Sequence, residues 1–125
     1  MKTIIAIALA GFFSCAQPQQ EGTAVKNLTP TEYKEKASKD GTLVDLRTQE
    51  EYSGGHLTGA SNANYLDGTF AESIKGWDKE KTYYLYCASG NRSGKAAKLM
   101  QEAGFKNIYN IGGYQGLKSA GLPTQ

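Results

Sequence analysis

The sequence predicts an α/β fold, one domain with a central, mainly parallel five-stranded sheet and helices on both faces. Short β-prone apolar runs alternate with runs of helix formers, and the connections between them are short and marked by Gly, Asp and Asn. A length of 125 residues suits one hydrophobic core rather than two. In such a sheet a ligand site is expected beyond the carboxyl ends of the strands.

Each element follows from local signals. Residues 24–28 form a plausible first short strand, and Thr29-Pro30-Thr31-Glu32 then offers an N-cap threonine, proline at the first helical position and glutamate at the third, opening a helix to about Ser38. Asp40-Gly41 turns the chain into the apolar strand 42–46, which carries Asp45 near its end. Residues 48–52 read as a short helix, Gly54-Gly55-His56 and Gly59 as a looped return, and 60–64 as a weak third strand. A helix over 69–77 precedes the fourth strand, 81–86. The run 92–103 is rich in strong helix formers, with Ala96, Leu99, Met100 and Ala103 at the spacing of one buried face. Residues 107–111 make the fifth strand, and Gly112-Gly113 leads into a last short helix over 114–120.

Residues 1–14 have the marks of a signal peptide. Lys2 gives a small positive start, and residues 4–13 are uncharged and mostly apolar, about half the roughly 20 residues a membrane-spanning helix needs. The run ends at Phe12-Phe13-Ser14-Cys15, which resembles a bacterial lipoprotein box with Cys15 as the lipidated residue, although Phe12 stands where leucine is usual. Ser14-Cys15-Ala16 also fits ordinary signal cleavage. Residues 15–23, Gln-rich and without large apolar side chains, read as a tether, and 24–125 as the folded domain. The expected location is the bacterial cell envelope, periplasmic or anchored to the membrane through lipid on Cys15. With 14 basic against 12 acidic side chains and no dense basic run, nucleic acid is not an expected partner. A disulfide between Cys15 and Cys87 is disfavoured by their different contexts.

The chemistry concentrates where the fourth strand ends. Cys87 is followed by Ala88, Ser89, Gly90, Asn91, Arg92 and Ser93, and then by the long helix. Unpaired backbone N–H groups and the positive end of a helix dipole favour negative charge, so a thiol placed there loses its proton more readily and an anion can be held beside it. Cys87 is therefore the candidate nucleophile. Gly90 permits a positive φ in the loop, Arg92 adds a permanent charge, and Ser93 can cap the helix or donate to sulfur.

Four segments in order resemble the single-domain rhodaneses: Val44-Asp45-Leu46-Arg47 with Glu51-Tyr52; Gly55-His56-Leu57-Thr58-Gly59-Ala60 with Asn62; the loop Cys87 to Ser93; and Gly112-Gly113 with Gly121-Leu122-Pro123. The match spans about residues 24–123. It departs at Leu117, where many members carry Trp, which bears on packing of the last helix. The resemblance implies a sulfurtransferase in which Cys87 carries sulfane sulfur as a persulfide. The donor would be thiosulfate or a similar small molecule and the acceptor cyanide, a thiol or a protein. Residues Ala88 to Ser93 would bind substrate, with no metal and no organic cofactor.

Two other readings fit parts of the same sequence. Relatives on the same fold that act on phosphate or arsenate have five residues between cysteine and arginine, usually after a histidine; here there are four, after Tyr86, which places phosphatase and arsenate reductase behind. A non-enzymatic persulfide carrier or protein-binding module is the alternative of a different class. Asp45 and Arg47 read as support behind the site, with Arg47 and Glu51 spaced for an i, i+4 pair, and His56 as part of a structural turn. Tyr83, Tyr84 and Tyr86 read first as a strand stripe, and Lys95 and Lys98 as a solvated helix face.

Overall fold

The computed structural model describes residues 25–36 and 41–125. The expected signal peptide, Cys15, the tether and the end of the first predicted helix lie outside the described residues.

Five parallel strands form one sheet: β1 (Lys26–Asn27), β2 (Gly41–Asp45), β3 (Ser61–Asn62), β4 (Thr82–Cys87) and β5 (Asn107–Gly113), in the order β1-β5-β4-β2-β3. The helices are α1 (Pro30–Lys36), α2 (Gln49–Ser53), α3 (Thr69–Ser73), α4 (Asn91–Glu102) and α5 (Tyr114–Ser119), with a 3₁₀ turn over Ile74–Gly76. That turn replaces the second half of the helix expected over 69–77. The chain leaves β2 toward β3 on one side and leaves β4 toward β5 on the other, so the connections diverge between two paired neighbours. A crevice opens at the carboxyl ends of strands with this topology. Asp45 and Cys87 end those two strands.

Residues 83–87 of β4 are all buried, and their side chains alternate between the two covered faces of the sheet. Tyr83, Leu85 and Cys87 pack with Phe70 of α3 and Ala96, Ala97 and Met100 of α4. Tyr84 and Tyr86 pack on the other face with Ile111, Leu117 of α5 and the half-buried Tyr33 of α1 and Tyr52 of α2. The tyrosine stripe is thus core on both sides of the sheet. Each large apolar side chain buried here contributes about 1.5–3 kcal/mol before the entropy of ordering it. The buried face of α4 is Ser93, Ala96, Ala97 and Met100, rotated from the expected one, and Leu99 and Ala103 lie half-exposed. The rotation follows from Ser93 facing the sheet end, which fixes the helix about its axis from its first turn.

Candidate active site

The loop after Cys87 is short because α4 starts at once. Gly90 occupies its N-cap position at φ +92° and supplies no side-chain cap. The contrast with α1 and α2 is local chemistry. Thr29 and Glu32 satisfy the first N–H groups of α1 reciprocally, and Thr48 and Glu51 do the same for α2. At α4 the Gly90 N–H instead donates to Cys87 Sγ at 3.0 Å. Ser93 Oγ lies 3.4 Å from the same sulfur. Burial pushes the thiol pKa up, yet the Ser93 hydroxyl and the N–H groups of Ser93, Ser89 and Gly90 outweigh it, and the net shift is downward from the ordinary 9.0. The cysteine is free and fully buried.

Two glycines of β5 form the floor of this loop. A bulge interrupts the β4–β5 register, so that Leu85 pairs with Asn110 and Tyr86 with Gly112. Gly112 takes φ +99°, and its N–H donates to Asn110 Oδ1 at 3.1 Å. A Cβ on Gly113 would stand 2.5 Å from Ala88 O and 3.1 Å from Ser89 Cα. The loop therefore rests backbone against backbone on a surface that only glycine leaves open.

Asn110 joins these parts. Its Oδ1 accepts from Ser93 Oγ at 2.8 Å, and its Nδ2 donates to Gly90 O at 3.2 Å. One amide thus holds the loop, the serine beside the sulfur and the bulge. Sequence reasoning passed over Asn110. The available signal was an Asn two residues before a Gly, the pattern of a side chain that bonds its own backbone two residues on.

The charged residues pair differently from the sequence expectation. Arg47 bonds Asp45, not Glu51: Nε lies 3.0 Å from both carboxylate oxygens and Nη2 2.7 Å from Oδ2, with both side chains buried. Burial opposes the charge on Arg47, and Asp45 restores it, leaving the guanidinium pKa raised. Arg47 also donates to Gly55 O and stacks 4.2 Å from the Tyr114 ring centroid. Asn62 donates to the carbonyls of Asp45 and Arg47, fixing the turn after β2. Glu51 pairs instead with Arg92, 41 residues away, through contacts of 2.8 and 3.2 Å. Arg92 holds the Glu51 pKa down to about 2 against burial, with help from Thr48.

Asn91 is exposed at the first turn of α4, Ala88 and Ser89 are exposed on the loop, and Arg92 is half-buried. His56 stacks on Tyr52 at 3.7 Å, and its Nδ1 lies 2.9 Å from Tyr52 O, within a turn and away from the sulfur contacts. Lys95 and Lys98 face solvent. Among the described residues no His, Cys, Asp and Glu group is arranged to hold a metal ion.

The Rhodanese-like domain model matches residues 29–120, the stretch that holds the thiol at the end of β4, the helix N-terminus beside it and the Gly-Gly floor. The chain belongs to the rhodanese family. It is 32% identical over 112 residues to the uncharacterized protein YqhL of Bacillus subtilis, covering 88% of this chain and 86% of that one. It is also 32% identical over 89 residues to the thiosulfate sulfurtransferase GlpE of Pseudomonas entomophila, covering 70% of this chain and 79% of GlpE. The crystal structure of a rhodanese-related protein from Thermoplasma volcanium superposes with a TM-score of 0.70 at 25% identity, over 80% of this chain and 97% of that one. This rhodanese domain has the family's all-parallel five-stranded sheet.

Proposed function

We propose that this protein is a sulfurtransferase of the thiosulfate sulfurtransferase type, with Cys87 as the nucleophile. The observation that carries the reading is the sulfur environment: Gly90 N–H at 3.0 Å, Ser93 Oγ at 3.4 Å and a thiol pKa moved down despite burial. Cys87 thiolate attacks the outer sulfur of thiosulfate, the S–S bond breaks, and sulfite leaves with the electron pair. The enzyme then carries Cys87–S–S⁻. Cyanide attacks the outer sulfur, thiocyanate departs, and the Cys87 thiolate returns; a thiol acceptor would take sulfur in the same way. The N–H groups at the start of α4 hold the anionic end of the donor and then the persulfide, the role of an oxyanion hole. The likeness to GlpE supports thiosulfate as a donor.

The full burial of Cys87 favours a second reading, a persulfide carrier that shields its sulfur until a protein acceptor docks. Thiocyanate formation from thiosulfate and cyanide by the domain from residue 22, with Cys87→Ser as control, separates the two. Turnover lost in the variant supports the enzyme. A stable persulfide on Cys87 without turnover supports the carrier.

A further inference from the structure

Resting on the sulfurtransferase reading, we propose that Glu51 sets the charge of the preferred donor: thiosulfate is accepted, but, by engaging Arg92, Glu51 raises its KM and favours a persulfide of low charge over such a dianion. The Glu51 carboxylate meets Arg92 Nη1 and Nη2 together, and Thr48 N and Oγ1 fix its Oε1 at 3.1 and 3.2 Å from the start of α2. It is a carboxylate held in place before it meets the arginine. The two side chains are 35% and 19% exposed, so the pair sits at the rim of the site and not in the core. The other arginine, Arg47, has its charge matched by buried Asp45. The four side chains therefore sum to zero charge.

What remains for an anion is the backbone of the loop and the first turn of α4, equivalent to about half a positive charge. That suits one negative charge or none. A dianion must either take Arg92 from a preorganised carboxylate or sit beside Glu51 and be repelled. With a low-charge donor the step is Cys87–S⁻ plus R–S–SH giving Cys87–S–SH plus R–S⁻. The donor S–S bond breaks, a new S–S bond forms, and the electron pair leaves on the donor thiolate.

The test compares KM for thiosulfate and for the persulfide of 2-mercaptoethanol, with cyanide as acceptor, in wild type and Glu51→Gln. The glutamine keeps the Thr48 cap and removes the charge. The thiosulfate KM is expected to fall about five- to tenfold, as removing one like charge at contact range allows, while the persulfide KM moves less than about twofold. A purely structural role would raise both. A thiosulfate KM that stays level or rises, or an equal gain for both donors, overturns the assignment. Wild type alone gives a second measurement: thiosulfate kcat/KM should not rise as ionic strength is lowered from about 0.5 to about 0.02 M, and a steep rise would reveal an unpaired positive site and overturn it. Mass spectrometry for sulfur on wild-type Cys87 distinguishes the failures. No loading by either donor overturns the sulfurtransferase reading and this inference with it, whereas loading with an unmoved KM overturns only the role of Glu51.

Discussion

Ser93 has one hydroxyl proton and two acceptors, Asn110 Oδ1 at 2.8 Å and Cys87 Sγ at 3.4 Å. With a neutral thiol the shorter contact takes the proton. A thiolate competes for it, because hydrogen bonds to charged groups are the stronger ones. Ser93→Ala removes that donor, so the midpoint of Cys87 alkylation by iodoacetamide against pH should move up by about one unit, the equivalent of one lost hydrogen bond to a charged group. An unmoved midpoint would assign the thiol's acidity to the backbone alone. The Glu51–Arg92 pair makes a second prediction. The folded-state pKa of Glu51, about 2, lies below its ordinary 4.5, so the pair's contribution to stability is complete above pH 4.5 and is lost as pH falls toward 2. The melting-temperature difference between wild type and Glu51→Gln should therefore shrink across that window and be largest near neutrality. Cys87 and its loop were legible as a candidate site, and the structure brings Gly90 and Ser93 to the sulfur as the strand–loop–helix order implies. Arginine partners were not: Glu51 finds Arg92 across 41 residues, which spacing does not expose, and Arg47 takes Asp45 two residues back rather than Glu51 four ahead.

The element that shapes the site is the bulge in β5. It brings Gly112 and Gly113 under the loop, and the approach at Gly113 leaves no room for a methyl group. Gly113→Ala must push Ala88 and Ser89 away and widen the sulfur contacts. Overpacking of this kind costs about 1–3 kcal/mol, so the variant should fold, by circular dichroism, yet lose most of its sulfur transfer. Retention of full activity would show that the loop can yield without disturbing the thiol. The sequence located this floor as Gly112-Gly113 but assigned it to a connection, whereas the pair ends the strand. The bulge is invisible to periodicity, because the strand residues after it are Gly112 and Gly113, which carry no side chain to show the shifted alternation. The start of α1 was legible to the residue, since Thr29, Pro30 and Glu32 are each chemically committed to their positions. The 3₁₀ turn at Ile74–Gly76 was not: Ile74 is drawn into the core beside Phe70, and that tertiary contact tightens the last turn.

At the scale of the whole molecule, the envelope location expected from residues 1–15 calls for a membrane attachment. No helix among the described residues is long and apolar enough to cross one. The formal charge of +2 is too small for attraction to anionic lipid, which contributes about 1 kcal/mol for each basic residue near the surface. We propose that attachment rests on lipid at Cys15. Acyl chains contribute about 0.8 kcal/mol for each buried CH₂, and two or more hold a protein firmly. The full chain expressed in a bacterium should then partition into the membrane fraction with an N-terminal mass increased by acyl groups, and Cys15→Ser should release it to the soluble fraction. Because the folded domain keeps Cys87 within its own sheet and helix, the released form should still react at Cys87 at the wild-type rate. Wild-type protein found soluble and unmodified would favour ordinary cleavage at Ser14-Cys15-Ala16 and a protein free in the envelope. Loss of Cys87 reactivity on release would mean instead that the residues before the domain take part in the site.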